Sequence, residues 1–198
     1  MDNKSGVKVA ITKKIKDQKT FEYMMYALVL IGVIMSTVTG NMQRNNKENN
    51  NNLVQATAIG YIISAIALIL LIPFSIKFNT AQVNAGQSMG KRLAQSIWRI
   101  LGYPLPTIIT IGVLVFAATQ TLMFKDRIAK HHVANEYFTW INTFSTLLVL
   151  QLVILFYYLI KDTDPNGAIR YVVYLFSLFN FILLGITQTI LQFFSTDG

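Results

Sequence analysis

The stretch LVQATAIGYIISAIALILLIPFSI, residues 53–76, contains no Lys, Arg, Asp, Glu or His. As an α-helix it is about 36 Å long, more than the roughly 30 Å hydrocarbon core of a bilayer. Four more stretches share this character: Tyr23–Thr39, Pro104–Phe124, Tyr137–Ile160 and Tyr171–Phe194. Every one of the 17 Lys and Arg and 9 Asp and Glu lies in the tails, the connections or at the span edges. This partition predicts an all-α integral membrane protein, a bundle of five transmembrane helices joined by short connections.

Composition supports that class. Hydrophobic residues make up 53% of the 198-residue chain and charged residues only 13%, and mean hydropathy is +0.46. The five spans leave residues 1–20 as a basic cytoplasmic tail, 21–195 as a single membrane domain and 196–198 as a short C-terminal tail. No stretch remains for a separate soluble domain. With no cysteine in the chain, disulfides, thiolate metal sites and cysteine catalysis are excluded.

The formal net charge is +8, and its distribution along the chain is uneven. Lys4, Lys8, Lys13, Lys14, Lys16 and Lys19 precede the first span, against only Asp2 and Asp17. Lysines beside a span attract anionic headgroups at about 1 kcal/mol each near the surface. Nucleic acid is the less favoured partner, because the segment has no arginine and no aromatic stacking group. Val7, Val9 and Ile11 alternate briefly and suggest a short extended segment. No small-residue cleavage site follows the basic region, so a cleavable signal peptide is not expected.

Orientation follows from the cations. An inside N-terminus puts twelve Lys and Arg inside: the six tail lysines with Lys77, Lys91, Arg92, Arg99, Lys161 and Arg170. Five remain outside: Arg44, Lys47, Lys125, Arg127 and Lys130. The positive-inside rule then gives N-in and C-out.

The connections offer little chemistry. Gly40–Asn52 is an asparagine-rich tract expected to be a mobile polar loop. Such Asn and Lys tracts point to an AT-rich coding sequence, of the kind found in protist organelles and large membrane-containing DNA viruses. Within Lys77–Tyr103, Ser88 can cap a helix over residues 88–102 with Met89, Leu93, Ile97 and Ile100 on one side. Lys91, Arg92 and Arg99 fall on the other side, and with Trp98 they read as an interfacial helix at the lipid surface. Together with Lys13, Lys14, Lys16 and Lys19 they form the expected headgroup contacts. His131, His132 and Glu136 supply too few convergent ligands for a metal. Asp162, Asp164, Asn166 and Gly167 imitate the start of a calcium loop, but Arg170 and Val173 occupy later ligand positions. Asp-Pro-Asn-Gly reads instead as a tight turn between the last two spans.

Inside the spans the polar residues are uncharged. Gln55, Gln120, Asn142, Gln151, Asn180, Gln188 and Gln192 can hydrogen-bond between helices. Asn142, Gln151, Asn180 and Gln188 lie on the last two spans and could form one polar seam. Small residues recur every fourth position: Gly32, Ser36 and Gly40 in the first span, Ala56, Gly60 and Ser64 in the second. That spacing lets helix backbones approach closely. Thr57-Ala-Ile-Gly-Tyr61 resembles a potassium-filter sequence only faintly. It lies within a continuous apolar span, where the irregular backbone of a filter has no place.

No carboxylate or histidine lies within a span, and phosphate loops and nucleophile elbows are absent from the sequence. The expectation is therefore non-enzymatic, with no cofactor and no metal. A structural or assembly subunit is favoured, packed through its small-residue faces against other membrane subunits or a second copy. The alternative is a channel or carrier for a neutral or weakly polar solute, using the amides of spans four and five.

Overall fold

The computed structural model describes residues 3–45, 50–75, 104–130, 133–161 and 168–193. These residues are helical almost throughout, with no strand among them. The helices are α1 (Asn3–Asn45), α2 (Asn51–Ser75), α3 (Pro104–Met123), α4 (Lys125–Lys130), α5 (Val133–Lys161) and α6 (Ala168–Phe193). All but α4 are long and apolar enough to span a membrane, over Lys19–Asn45, Asn51–Ile72, Leu105–Met123, Glu136–Lys161 and Tyr171–Phe193. The chain thus has the helices of a multi-pass membrane protein.

Local chemistry explains several boundaries. Asn50 caps α2: its side-chain Oδ1 accepts the Asn52 N–H at 3.0 Å, and its carbonyl accepts the Leu53 N–H at 3.0 Å. Pro104 opens α3 and Pro106 follows it in the first turn, where a missing N–H costs the helix no bond. A single turn residue, Phe124, separates α3 from α4. The backbone ladder continues across it, with Phe124 N–H donating to Gln120 and Ile128 N–H donating to Phe124. Buried Ile128 anchors α4, which lies against α2 and α5.

Neighbouring helices form a closed circuit: α1 packs on α2, α2 on α3, α3 on α6, α6 on α5, and α5 back on α1. Tyr61, Phe144, Ile141, Leu148 and Leu152 are among the fully buried side chains of its core. Apolar residues such as Ile31, Ile34, Val38, Ile66, Ile69, Leu150, Val153, Leu178 and Ile182 project outward. In water this would be an aggregating surface. Around a membrane bundle it is the surface lipid covers. Exposed Thr119, Thr143, Thr146 and Thr189 each donate their hydroxyl to the carbonyl four residues earlier, so none presents an unmet donor.

Two expectations change. Val7, Val9 and Ile11 belong to helix, not to an extended segment: α1 runs unbroken from Asn3 across residue 20 and into the span. The ends of the asparagine tract are helical too, since α1 continues to Asn45 and α2 starts at Asn51, while 46–49 lie outside the described residues. Its residues gain partners there, which a loop of the same composition would lack. Asn41 accepts from Asn142 at 2.8 Å, and Gln43 accepts the Asn50 N–H at 3.3 Å. The interfacial helix expected over 88–102, His131 and His132, the 162–167 turn and the C-terminal tail all lie outside the described residues.

Candidate functional site

The closest helix contact is built from four small residues. A Cβ added to Gly32 would overlap Ser64 Oγ and the Gly60 carbonyl oxygen. One added to Gly60 would overlap Ser36 Oγ and the Gly32 carbonyl oxygen. The contact is reciprocal: each glycine admits the serine and the backbone of the opposite helix. Ser36 Oγ donates to the Thr57 carbonyl at 2.6 Å, and Ser64 Oγ donates to the Val29 carbonyl at 2.7 Å. Thr39 and Thr57 hydroxyls meet at 2.9 Å one turn further on. Serine-to-carbonyl bonds across a crossing are available only where no side chain holds the backbones apart.

The remaining small residues divide between other tasks. Gly40 faces α5, where an added Cβ would lie 3.1 Å from Phe138 Cδ1 and 3.2 Å from Asn142 Oδ1. Ala56 is half-buried on α2. The two sequence repeats thus serve two interfaces, α1 with α2 and α1 with α5.

The polar residues of α3, α5 and α6 join by side chains instead. Gln151 is the hub. Its Nε2 donates to Thr110 Oγ1 at 2.7 Å and to Ser177 Oγ at 2.9 Å, and its Oε1 accepts from Asn180 Nδ2 at 2.7 Å. Thr110 and Ser177 can accept because their own hydroxyl protons go to the Pro106 and Val173 carbonyls. Gln151, Thr110, Ser177 and Asn180 are all buried, with Gln151, Thr110 and Asn180 fully so.

A second amide centre lies toward the other end of α3 and α6. Gln120 Nε2 donates to Gln188 Oε1 at 3.0 Å and to the Leu184 carbonyl at 3.1 Å, while its Oε1 accepts from Thr187 at 2.8 Å. Asn142 belongs to neither centre and pairs with Asn41 of α1. The four residues Asn142, Gln151, Asn180 and Gln188 therefore occupy three separate clusters. Gln55 is half-buried and Gln192 exposed.

Two further bonds involve residues that carry no polar-seam signal in the sequence. The Tyr61 and Ser145 hydroxyls meet at 2.6 Å between α2 and α5, and the Tyr137 and Thr121 hydroxyls at 2.7 Å between α5 and α3. Tyr61 also packs edge-on to Phe144, and Tyr26 packs on Phe156 with centroids 4.5 Å apart. Tyr26 donates to Glu22 at the start of the span. Tyr61 and Tyr137 are fully buried, and their partners become visible only once the helices are assembled.

Four buried polar atoms among the described residues have no protein partner: Gln43 Nε2, Thr107 Oγ1, Asn142 Oδ1 and Asn180 Oδ1. Among the described residues, no group of three or more His, Asp and Glu could hold a metal. Of the lipid-surface candidates, Lys19 is exposed and Lys13, Lys14 and Lys16 belong to α1. Lys91, Arg92, Trp98 and Arg99 lie outside the described residues. Chemically, the buried hydroxyls and amides can fix helix spacing and rotation, which is the work of packing groups.

No family model, curated protein or solved structure matches the chain.

Proposed function

We propose that this chain is a non-enzymatic structural or assembly subunit of a membrane, held N-in and C-out, that works as part of a larger complex or a membrane-containing particle. The observation that carries this reading is the inward closure of its polar chemistry. Gln151, Gln120, Ser36 and Ser64 spend their hydrogen bonds on neighbouring helices of the same chain. A bundle locked in this way suits a part that holds its shape against partners. Purification under mild detergent tests the reading. A complex of fixed stoichiometry supports it, and a lone monomer under all extraction conditions sinks it.

Orientation has its own support. Helix pairing is antiparallel between α1 and α2 and between α1 and α5, so the α1 N-terminus shares an end with the α2 and α5 C-termini. The segments leaving that end carry the twelve cations of the N-in count. Because the chain has no native cysteine, single-cysteine labelling from each side of the membrane tests this directly. Labelling of a cysteine at Asn45 from the inside would reverse the orientation.

A carrier for a small polar solute draws on a different observation. Asn180 Oδ1 and Thr107 Oγ1 are buried without a protein partner, and a solute donor could meet them. Solute flux in liposomes that disappears in Asn180→Leu would favour this second reading over the first.

A further inference from the structure

The hub around Gln151 has a direction, and that direction ends on an atom without a partner. Thr110 and Ser177 give their hydroxyl protons to the Pro106 and Val173 carbonyls, so toward Gln151 each can only accept. The two Gln151 Nε2 hydrogens go to these two oxygens, which turns Oε1 toward Asn180. Oε1 accepts from Asn180 Nδ2, and Asn180 Oδ1 remains as an acceptor with no donor. Turning the Gln151 amide over brings no relief. Its Oε1 would then need both hydroxyl protons back from the carbonyls, and the unmatched atoms at Asn180 would become N–H donors.

The register of the helices shows what surrounds this level. Thr110 meets Ser177 through Gln151, and Gln120 meets Thr187 ten residues further along each helix. α3 and α6 therefore run parallel, and Asn180 lies level with Val113. The Thr121 bond to Tyr137 and the Gln151 bond to Thr110 make α5 antiparallel to α3, so Leu148 comes to the same level. Val113, Leu148 and Asn180 are all fully buried, and neither apolar side chain carries a donor. Gln120, the next amide along α3, is already bonded to Gln188, Leu184 and Thr187. The level is near the middle of the Tyr171–Phe193 span, where lipid supplies no donor either.

A buried acceptor without a donor bears the full cost of its desolvation, and folded proteins meet nearly all such groups with protein or ordered water. The partner of Asn180 Oδ1 has a narrow description. It must donate, and it must be small enough to lie between packed helices. A cation is excluded, because it needs several converging oxygens and the hub leaves one free. Any second hydrogen has helix carbonyls to meet, since those of Pro106 and Val173 each accept a hydroxyl besides their place in the helix ladder. Water fits each of these conditions. We infer that Asn180 Oδ1 binds one water molecule as a fixed member of the Gln151 hub, donating to that oxygen and to a helix carbonyl. This gives to water the oxygen that the carrier reading offers to a solute, and it does not rest on the structural-subunit proposal.

A crystal structure of the full chain grown in a lipidic mesophase, at a resolution that shows ordered water, tests the site. Density for a single oxygen should lie about 2.8 Å from Asn180 Oδ1. Carbon packed against Oδ1 with no such density overturns the inference. Density for a larger molecule overturns it too, and would move the oxygen to the carrier reading. Solid-state NMR of the chain in phosphatidylcholine bilayers gives an independent measurement. Through-space transfer from water protons should reach the Asn180 side-chain amide and stay at background at Gln120, which is buried to a similar depth with its bonds met inside the chain. Background transfer at both amides would count against a bound water. Asn180→Leu keeps the volume and removes both the acceptor and the water, so the melting temperature should fall by about 2–4 °C. A rise would show that the oxygen had been buried without any donor, and would overturn the inference.

Discussion

The α1–α2 interface and the α3–α5–α6 interface solve one problem in opposite ways. Between α1 and α2, side chains are removed until backbone meets backbone, and serine hydroxyls reach carbonyls directly. Among α3, α5 and α6, the side chains are kept and Gln151 and Gln120 bridge from helix to helix. A contact of the first kind has no slack, because its tolerance is set by the radius of one carbon. The second kind can adjust through rotatable bonds. Lipid supplies no hydrophobic force between helices, so both depend on close fit and hydrogen bonds.

The difference can be broken first at the glycines. Gly32→Leu should have the largest effect, about 3 kcal/mol of lost stability. Its side chain must displace Ser64 and the Gly60 carbonyl, and backbone cannot move aside as a flexible tip can. Reversible unfolding in mixed micelles would measure it. A loss below about 1 kcal/mol would mean that the crossing opens freely, and the contrast between the interfaces would vanish.

Gln151→Leu comes next. It removes three interhelical bonds worth about 0.6 kcal/mol each, so about 2 kcal/mol in all. Asn180 and Thr110 would lose a shared partner, and the double-mutant cycle of Gln151→Leu with Asn180→Leu should show positive coupling. Additive losses in that cycle would show that the hub residues act independently.

Tyr61→Phe should cost less, about 0.6 kcal/mol, because only the bond to Ser145 disappears while the ring keeps its place against Phe144. The same unfolding assay resolves it from the Gln151 loss. Gly185→Ala sets the lower end of the series. An added Cβ there meets nothing within 4 Å, so stability should stay level or rise by up to about 1 kcal/mol through helix propensity. A large loss at Gly185 would instead reveal that its open face is occupied by something in the membrane.

The sequence displayed the spans because their length and lack of charge are local properties. The Gly32/Ser36 and Gly60/Ser64 faces were also legible, since a four-residue period places residues on one side of any helix. Their neighbours were not. Gly40 continues the first repeat yet lies against Phe138 of α5, a contact set by how the whole bundle assembles. The amides raised a similar difficulty. Which glutamine meets which threonine depends on the rotation of α3 and α6 about their axes, and the whole bundle sets that rotation. Nothing in the sequence around Tyr61 and Tyr137 hints at Ser145 and Thr121 as partners. The course of α1 was hidden by composition: lysine, threonine and a glycine suggested a tail, while the chain beyond was already committed to helix.

The reciprocal glycine crossing also bears on the order in which the chain assembles. Its four residues lie between positions 32 and 64, so the contact is complete once α2 has left the ribosome. Gln151 and Gln120 must wait for α6, which is made later. A truncated chain ending after Ser75 should therefore already form a hairpin, detectable by crosslinking cysteines placed at Thr39 and Thr57 of nascent chains, whose hydroxyls meet across the pair at 2.9 Å. Synthesis itself would then deliver a preformed first hairpin with Gly40 and Asn41 on its flank, ready to receive α5.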